Sequence, residues 1–275
     1  MNSMEPAAGP AASATRWLDL VCLLLVNAVP LYGILFLGWS GVVVIALYWA
    51  ENGIGAIFTG LRIALHRRFT HKRGHWRGGQ LDNDDGHKPG TLLGDYVKSA
   101  ILSTVLQGIF IALFVVLAVF VLKDQHGDWD VQRIFSFKQL IQGVVSVMVA
   151  MALGFAVDIG TIRQRSFAWL KLRVQQKQER VILLHFSIIL GFFVMIPTHA
   201  PLAVAYMLIA INTAACVYHW RIDAKVESMP LETWLTEQVE ASNRRSGASK
   251  ISAGQQRGIQ GVLRAAQEDE QTAPA

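Results

Sequence analysis

Charge is what this sequence has least of. Asp, Glu, Lys and Arg make up 16% of 275 residues, against a usual ~25%. Such a chain is not intrinsically disordered, because disorder needs low hydrophobicity and high net charge. Cysteine is scarce too. Cys22 and Cys216 allow one disulfide at most, and both lie in apolar runs where a buried, inert thiol is the ordinary case. A disulfide-stapled scaffold is thereby excluded. Chemical motifs are missing as well: a Gly-rich phosphate loop between strand and helix, a Gly-x-Ser-x-Gly elbow and a His-Glu-x-x-His zinc signature. No cofactor is implied. Spans one to three do not recur in spans four to six, which argues against a transporter built from two halves.

What the chain has instead is apolar length. The hydrophobic fraction is 52% before any Gly is counted. Six stretches are long enough to cross a bilayer core of about 30 Å as helices: 17–38, 41–65, 99–122, 139–160, 181–197 and 201–220. Within them only Asp19, Glu51, Arg62 and Asp158 are charged. The shortage of charge therefore belongs to the spans, and the connecting segments read like soluble surface. The expected fold is an all-α, six-span membrane bundle. The first stretch exceeds the ~7–15 apolar residues of a cleaved signal, and no small-x-small site follows it.

Lys and Arg set the orientation. Outside the spans, only Lys123, Arg133 and Lys138 fall on one side. Basic residues of the loops 66–98 and 161–180, with those of the tail from Arg221, fall on the other. By the positive-inside rule both termini face the cytoplasm. The net charge of +5 is scattered over these loops, without a nucleic-acid motif. The expected partners are the bilayer and its anionic headgroups, not nucleic acid.

The connecting segments offer less. Residues 1–16 read as a disordered tail. The loop after span two carries His66, His71, His75 and His87 among Arg and Lys. Nearby cations disfavour a metal, so no metal site is expected there, and the loop reads as a basic patch facing lipid headgroups. Its acidic run 82–86 lacks calcium-loop spacing. The segment 161–180 either lies in the membrane interface or extends the fourth helix. A short amphipathic helix is expected near 230–240, with the rest of 221–275 disordered.

The informative residues are the polar ones within the spans, where an ionisable group costs ~2.5–3.5 kcal/mol. Glu51 lies about 15 Å along span two, near mid-depth. Three- and four-residue steps put Tyr48, Glu51, Asn52, Gly55, Thr59 and Arg62 on one helix face, which must point into the bundle. Asn27 on span one sits at similar depth and is expected to donate to Glu51. Nearby, Pro30 frees the carbonyl of Val26. Asn212 on span six is also near mid-depth. Arg62, Asp158 and His185 lie toward the cytoplasmic edge, where Arg62 and Asp158 can pair with His185 beside them.

Three functions fit these residues. A polar site formed by Asn27, Tyr48, Glu51, Asn52 and Asn212 can bind or carry an ion, a proton or a small solute. The same residues can serve only to pack the bundle, since interhelical polar contacts are ordinary in membranes. A membrane-embedded enzyme would use His185, Asp158 and Arg62 as base, orienter and anion clamp.

The strings Asn27-Ala-Val-Pro30-Leu-Tyr-Gly33, Leu37-Gly38-Trp39-Ser40 and Tyr48-Trp49-Ala50-Glu51-Asn52 carry a resemblance. So does Arg180-Val-Ile-Leu-Leu-His185. They resemble an uncharacterised prokaryotic integral-membrane family, a domain of unknown function with a Tyr-Trp-x-Glu-Asn motif in its second helix. The resemblance implies a small multi-span protein of the bacterial cytoplasmic membrane and singles out Asn27, Glu51 and His185. It implies no activity or substrate.

Overall fold

The structure is a computed structural model that describes residues 10–76, 91–126, 135–198, 202–228, 264 and 267–272. Six long helices follow one another: α1 (Pro10–Leu37), α2 (Gly41–Thr70), α3 (Leu92–His126), α4 (Phe137–Thr161), α5 (Phe167–Thr198) and α6 (Ala203–Ser228). Each is long and apolar enough to cross a bilayer. A 3-10 turn, Arg73–Trp76, follows α2. Among the described residues the extended pairing is a single bridge between Lys72 and Thr272. The protein is an all-α six-span bundle.

α2 stands at the centre. It packs against every other helix, and more of its span is buried than of any other. This position follows from its sequence. A helix with a carboxylate, an amide and hydroxyls along one side must surround that side with protein, because lipid offers no hydrogen-bond partners. Tyr48, Glu51, Asn52, Gly55 and Thr59 are all buried. α3 shows the opposite pattern: Ile101, Leu102, Val105, Ile109 and Leu113 are exposed. In water these would form an adhesive patch, whereas hydrocarbon matches them.

The turn between α1 and α2 is fixed by local chemistry. Gly38 takes φ +63°, a left-handed conformation that a Cβ disfavours, and ends α1. The Trp39 N–H donates to the Gly33 carbonyl at 3.0 Å. Ser40 Oγ then accepts the Val43 N–H at 3.3 Å and caps α2. Despite this short turn, α1 leans mainly on α4 and α6 rather than on α2.

The helices overrun the expected stretches. α1 begins at Pro10, so residues 10–16 are helical where a disordered tail was expected. Segment 161–180 does not extend the fourth helix. The chain turns after Thr161, and Phe167 starts α5, which continues into the fifth span as one helix. Ser166 Oγ accepts the Trp169 N–H at 3.1 Å at this start. The amphipathic helix expected near 230–240 lies outside the described residues, as do residues 1–9 and the acidic run 82–86.

Part of the tail is ordered where disorder was expected. Residues 267–270 form a helical turn against the basic end of the bundle. The Glu270 carboxylate accepts the Phe167 N–H at 2.6 Å and the Ala168 N–H at 3.2 Å, and pairs with Lys72. Asp269 pairs with Lys171 at 2.6 Å. The reason is electrostatic: the first N–H groups of a helix have no intrahelical acceptors and carry partial positive charge.

Candidate functional site

The polar face of α2 meets polar groups from three neighbours. Glu51, 2% exposed, forms an ion pair with Arg180 of α5. The same guanidinium donates from Nε to Asn212 Oδ1 of α6 at 3.4 Å. One turn earlier on α5, Lys177 Nζ donates to Asn52 Oδ1 at 3.0 Å. Asn27 of α1 closes the group. Its Oδ1 accepts the Tyr48 hydroxyl at 3.4 Å, and its Nδ2 donates to the Leu23 carbonyl at 3.0 Å and lies 3.4 Å from Cys216 Sγ.

Asn27, Tyr48, Glu51, Asn52 and Asn212 therefore do converge, all buried. Their connection differs from expectation. Asn27 does not donate to Glu51; it turns to Cys216 and Tyr48 because α1 leans on α6. Glu51 takes a guanidinium instead. The two residues that organise the cluster, Lys177 and Arg180, fall outside the 181–197 stretch and read as loop cations. A usable signal was present. Arg173, Gln176, Lys177, Arg180 and Leu184 follow three- and four-residue steps, marking one helix face that continues into the span.

A second ion pair lies toward the basic end. Arg62 Nε and Asp158 Oδ2 are 2.6 Å apart, and the guanidinium also stands 5.3 Å from the centre of the Phe155 ring. His185 does not join them. Its Nδ1 meets the Val181 carbonyl of its own helix at 2.7 Å, and its ring packs 4.7 Å from Phe110 of α3. The arrangement places no base from His185 at the Arg62–Asp158 pair.

Between α1, α2, α4, α5 and α6 is a cavity of about 160 Å³. Arg62, Asp158, Lys177 and Arg180 border it, and Val26, Phe58, Met151 and Trp220 contribute apolar wall. On the other side of Lys177 a smaller cavity of about 30 Å³ lies between α2, α3 and α5, bordered by Asn52 and Gln107. Gln107 is 1% exposed, and neither side-chain polar atom has a partner among the described residues. A cavity of this size admits a water.

Two of the four histidines of the loop after α2 do not face headgroups as expected, because they are packed inside the protein. His66 and His75 are both fully buried, with Nδ1 of one 2.8 Å from Nε2 of the other. His66 Nε2 stands 3.1 Å from the Arg165 carbonyl, which can only accept. In the neutral pair His66 therefore carries its proton on Nε2, and His75 donates from Nε2. His75 Nδ1 is left without a partner among the described residues. Burial, with His66, Arg67 and Lys72 close by, pushes the His75 pKa down to about 3. His71 is exposed and caps α2 from a left-handed conformation, φ 48°. His87 lies outside the described residues.

The chain belongs to the family of unknown function DUF6498, whose model matches residues 10–231. No curated protein and no solved structure matches it.

Proposed function

We propose that this bundle binds a small solute within the membrane, as a binding protein or carrier of the bacterial cytoplasmic membrane. Both termini face the cytoplasm in this reading, and the basic loops meet anionic headgroups. The supporting observation is the cavity of about 160 Å³ beside the Glu51–Arg180 pair. Packing alone needs no such space, since protein interiors are filled to crystal-like density. A competing reading, in which the polar residues only hold helices together, draws on a different observation. Both carboxylates of the region are already paired, Glu51 with Arg180 and Asp158 with Arg62.

Access from water separates the two. Ala150 borders the cavity and is 7% exposed. In a chain carrying Cys22→Ser and Cys216→Ser, Ala150→Cys places a single thiol there. A charged, membrane-impermeant thiol reagent should modify it from one face of sealed vesicles. No modification from either face supports the packing role and defeats the binding role.

A further inference from the structure

We infer that the solute is a small organic monoanion, an oxyanion carried on a short apolar body. This rests on the binding reading above and specifies its ligand. The first argument is charge. Arg62 and Arg180 border the cavity with their charges answered by Asp158 and Glu51. Lys177 borders it too, and its ammonium meets the neutral Asn52 carbonyl oxygen. No carboxylate pairs with Lys177 among the described residues. Arg173 borders the same cavity, and Lys177 thus keeps a positive charge that no ion pair answers, in a medium that solvates charge poorly. A monoanion would balance it. A cation would add to it, so the mid-depth carboxylate at Glu51 is not a cation site: it is 2% exposed and engaged by Arg180.

The second argument is shape. Guanidinium groups present their donors as a planar fork that matches carboxylate and phosphate oxygens. Arg180 is held by Glu51 at Nη2 and by Asn212 at Nε, so its orientation is fixed and Nη1 is the donor group left for an oxyanion. Val26, Phe58, Met151 and Trp220 offer nothing to a hydrated inorganic ion, but they suit a hydrocarbon or aromatic body. In volume, the cavity of about 160 Å³ resembles an engineered apolar cavity of ~150 Å³ that holds benzene. The ligand is therefore near the size of one ring or a short alkyl chain.

The test uses the full chain in nanodiscs and four probes: benzoate, butyrate, inorganic phosphate and benzylammonium. Calorimetry should show saturable binding of benzoate or butyrate, with phosphate weaker and benzylammonium absent. Lys177→Met should weaken carboxylate binding by about tenfold or more, the scale of one charged hydrogen bond, and Lys177→Arg should restore most of it. Binding of benzylammonium without benzoate overturns the proposal, as does undiminished benzoate binding by a folded Lys177→Met. Phosphate binding as tight as benzoate overturns the apolar body. If Ala150→Cys is water-accessible but no anion binds, the ligand class fails while the binding reading stands. If it is inaccessible and nothing binds, both fail.

Discussion

The ammonium of Lys177 occupies space that only a glycine at position 55 leaves open. A Cβ at Gly55 would fall 2.6 Å from Lys177 Nζ and 3.0 Å from Met151 Cε. The charged end of α5 thus lies directly on the α2 backbone, where it reaches Asn52 and the cavity. Gly55→Ala should turn the ammonium aside into the cavity and cost about 1.5–3 kcal/mol, the scale of its charged hydrogen bond to Asn52. Met is one atom shorter than Lys and uncharged. In a double-mutant cycle of thermal stability, Lys177→Met should therefore recover most of the loss. An additive double mutant would show that the contact is not the cause.

Glu51 and Arg180 invite a second cycle. Removing one partner leaves the other buried and uncompensated, a cost of about 3–5 kcal/mol. Glu51→Gln and Arg180→Met should each lower the melting temperature more than the double variant does. A loss in the double variant equal to the sum of the two single losses would mean that the two side chains do not act as a pair.

Two glycines give opposite expectations at the same chemical change. A Cβ at Gly191 of α5 would lie 2.6 Å from the Val204 Cα of α6, a backbone atom that cannot turn aside. A Cβ at Gly53 meets nothing within 4 Å. Gly191→Ala should destabilise the α5–α6 contact. Gly53→Ala should be neutral or gain up to about 1 kcal/mol from helix propensity. Thermal unfolding of both in one detergent checks this, and the reverse order would contradict the close approach.

The His66–His75 junction should loosen in acid. A histidine in the unfolded chain takes a proton near 6.5, whereas His75 in the fold is held down to about 3. Between those values the unfolded state binds the proton and the folded state does not. Stability is therefore full above about 6.5 and falls as pH drops toward 3, by at most ~1.4 kcal/mol per unit. Hydrogen exchange at residues 267–272 should quicken from about pH 7.5 to about pH 5, after correction for the intrinsic rate. His75→Gln should remove much of that response.

The docked tail carries a graded prediction. Glu270 meets two helix N–H groups and Lys72, while the Lys171 side chain that pairs with Asp269 is 56% exposed. Glu270→Gln should cost about 1–2 kcal/mol of local docking, from lost charge at a helix start. Asp269→Asn should cost less than about 1 kcal/mol, because solvent screens that pair. Exchange protection of the first turn of α5 measures both. Equal effects would indicate that the helix start is not what holds the tail.

Much of this protein was decided by its sequence alone. The six spans follow from apolar length, and the central place of α2 follows from its polar face, because hydrocarbon cannot satisfy Tyr48, Glu51 or Asn52. Burial of Asn27 and Asn212 follows for the same reason, and shared depth made an Arg62–Asp158 pair one of the possible ones. Partner choice required the tertiary structure. Adjacency in the chain favoured Asn27 as the partner of Glu51, but α1 leans on α4 and α6, so Asn27 meets Cys216 and Tyr48 instead. Arg180 and Lys177 read as loop cations because hydropathy averages over a helix, whereas burial acts on one face of it. The folding of α5 as one continuous helix carries that face inward and places two cations beside the polar side of α2. Periodicity can mark such a face; only packing decides which residues it meets.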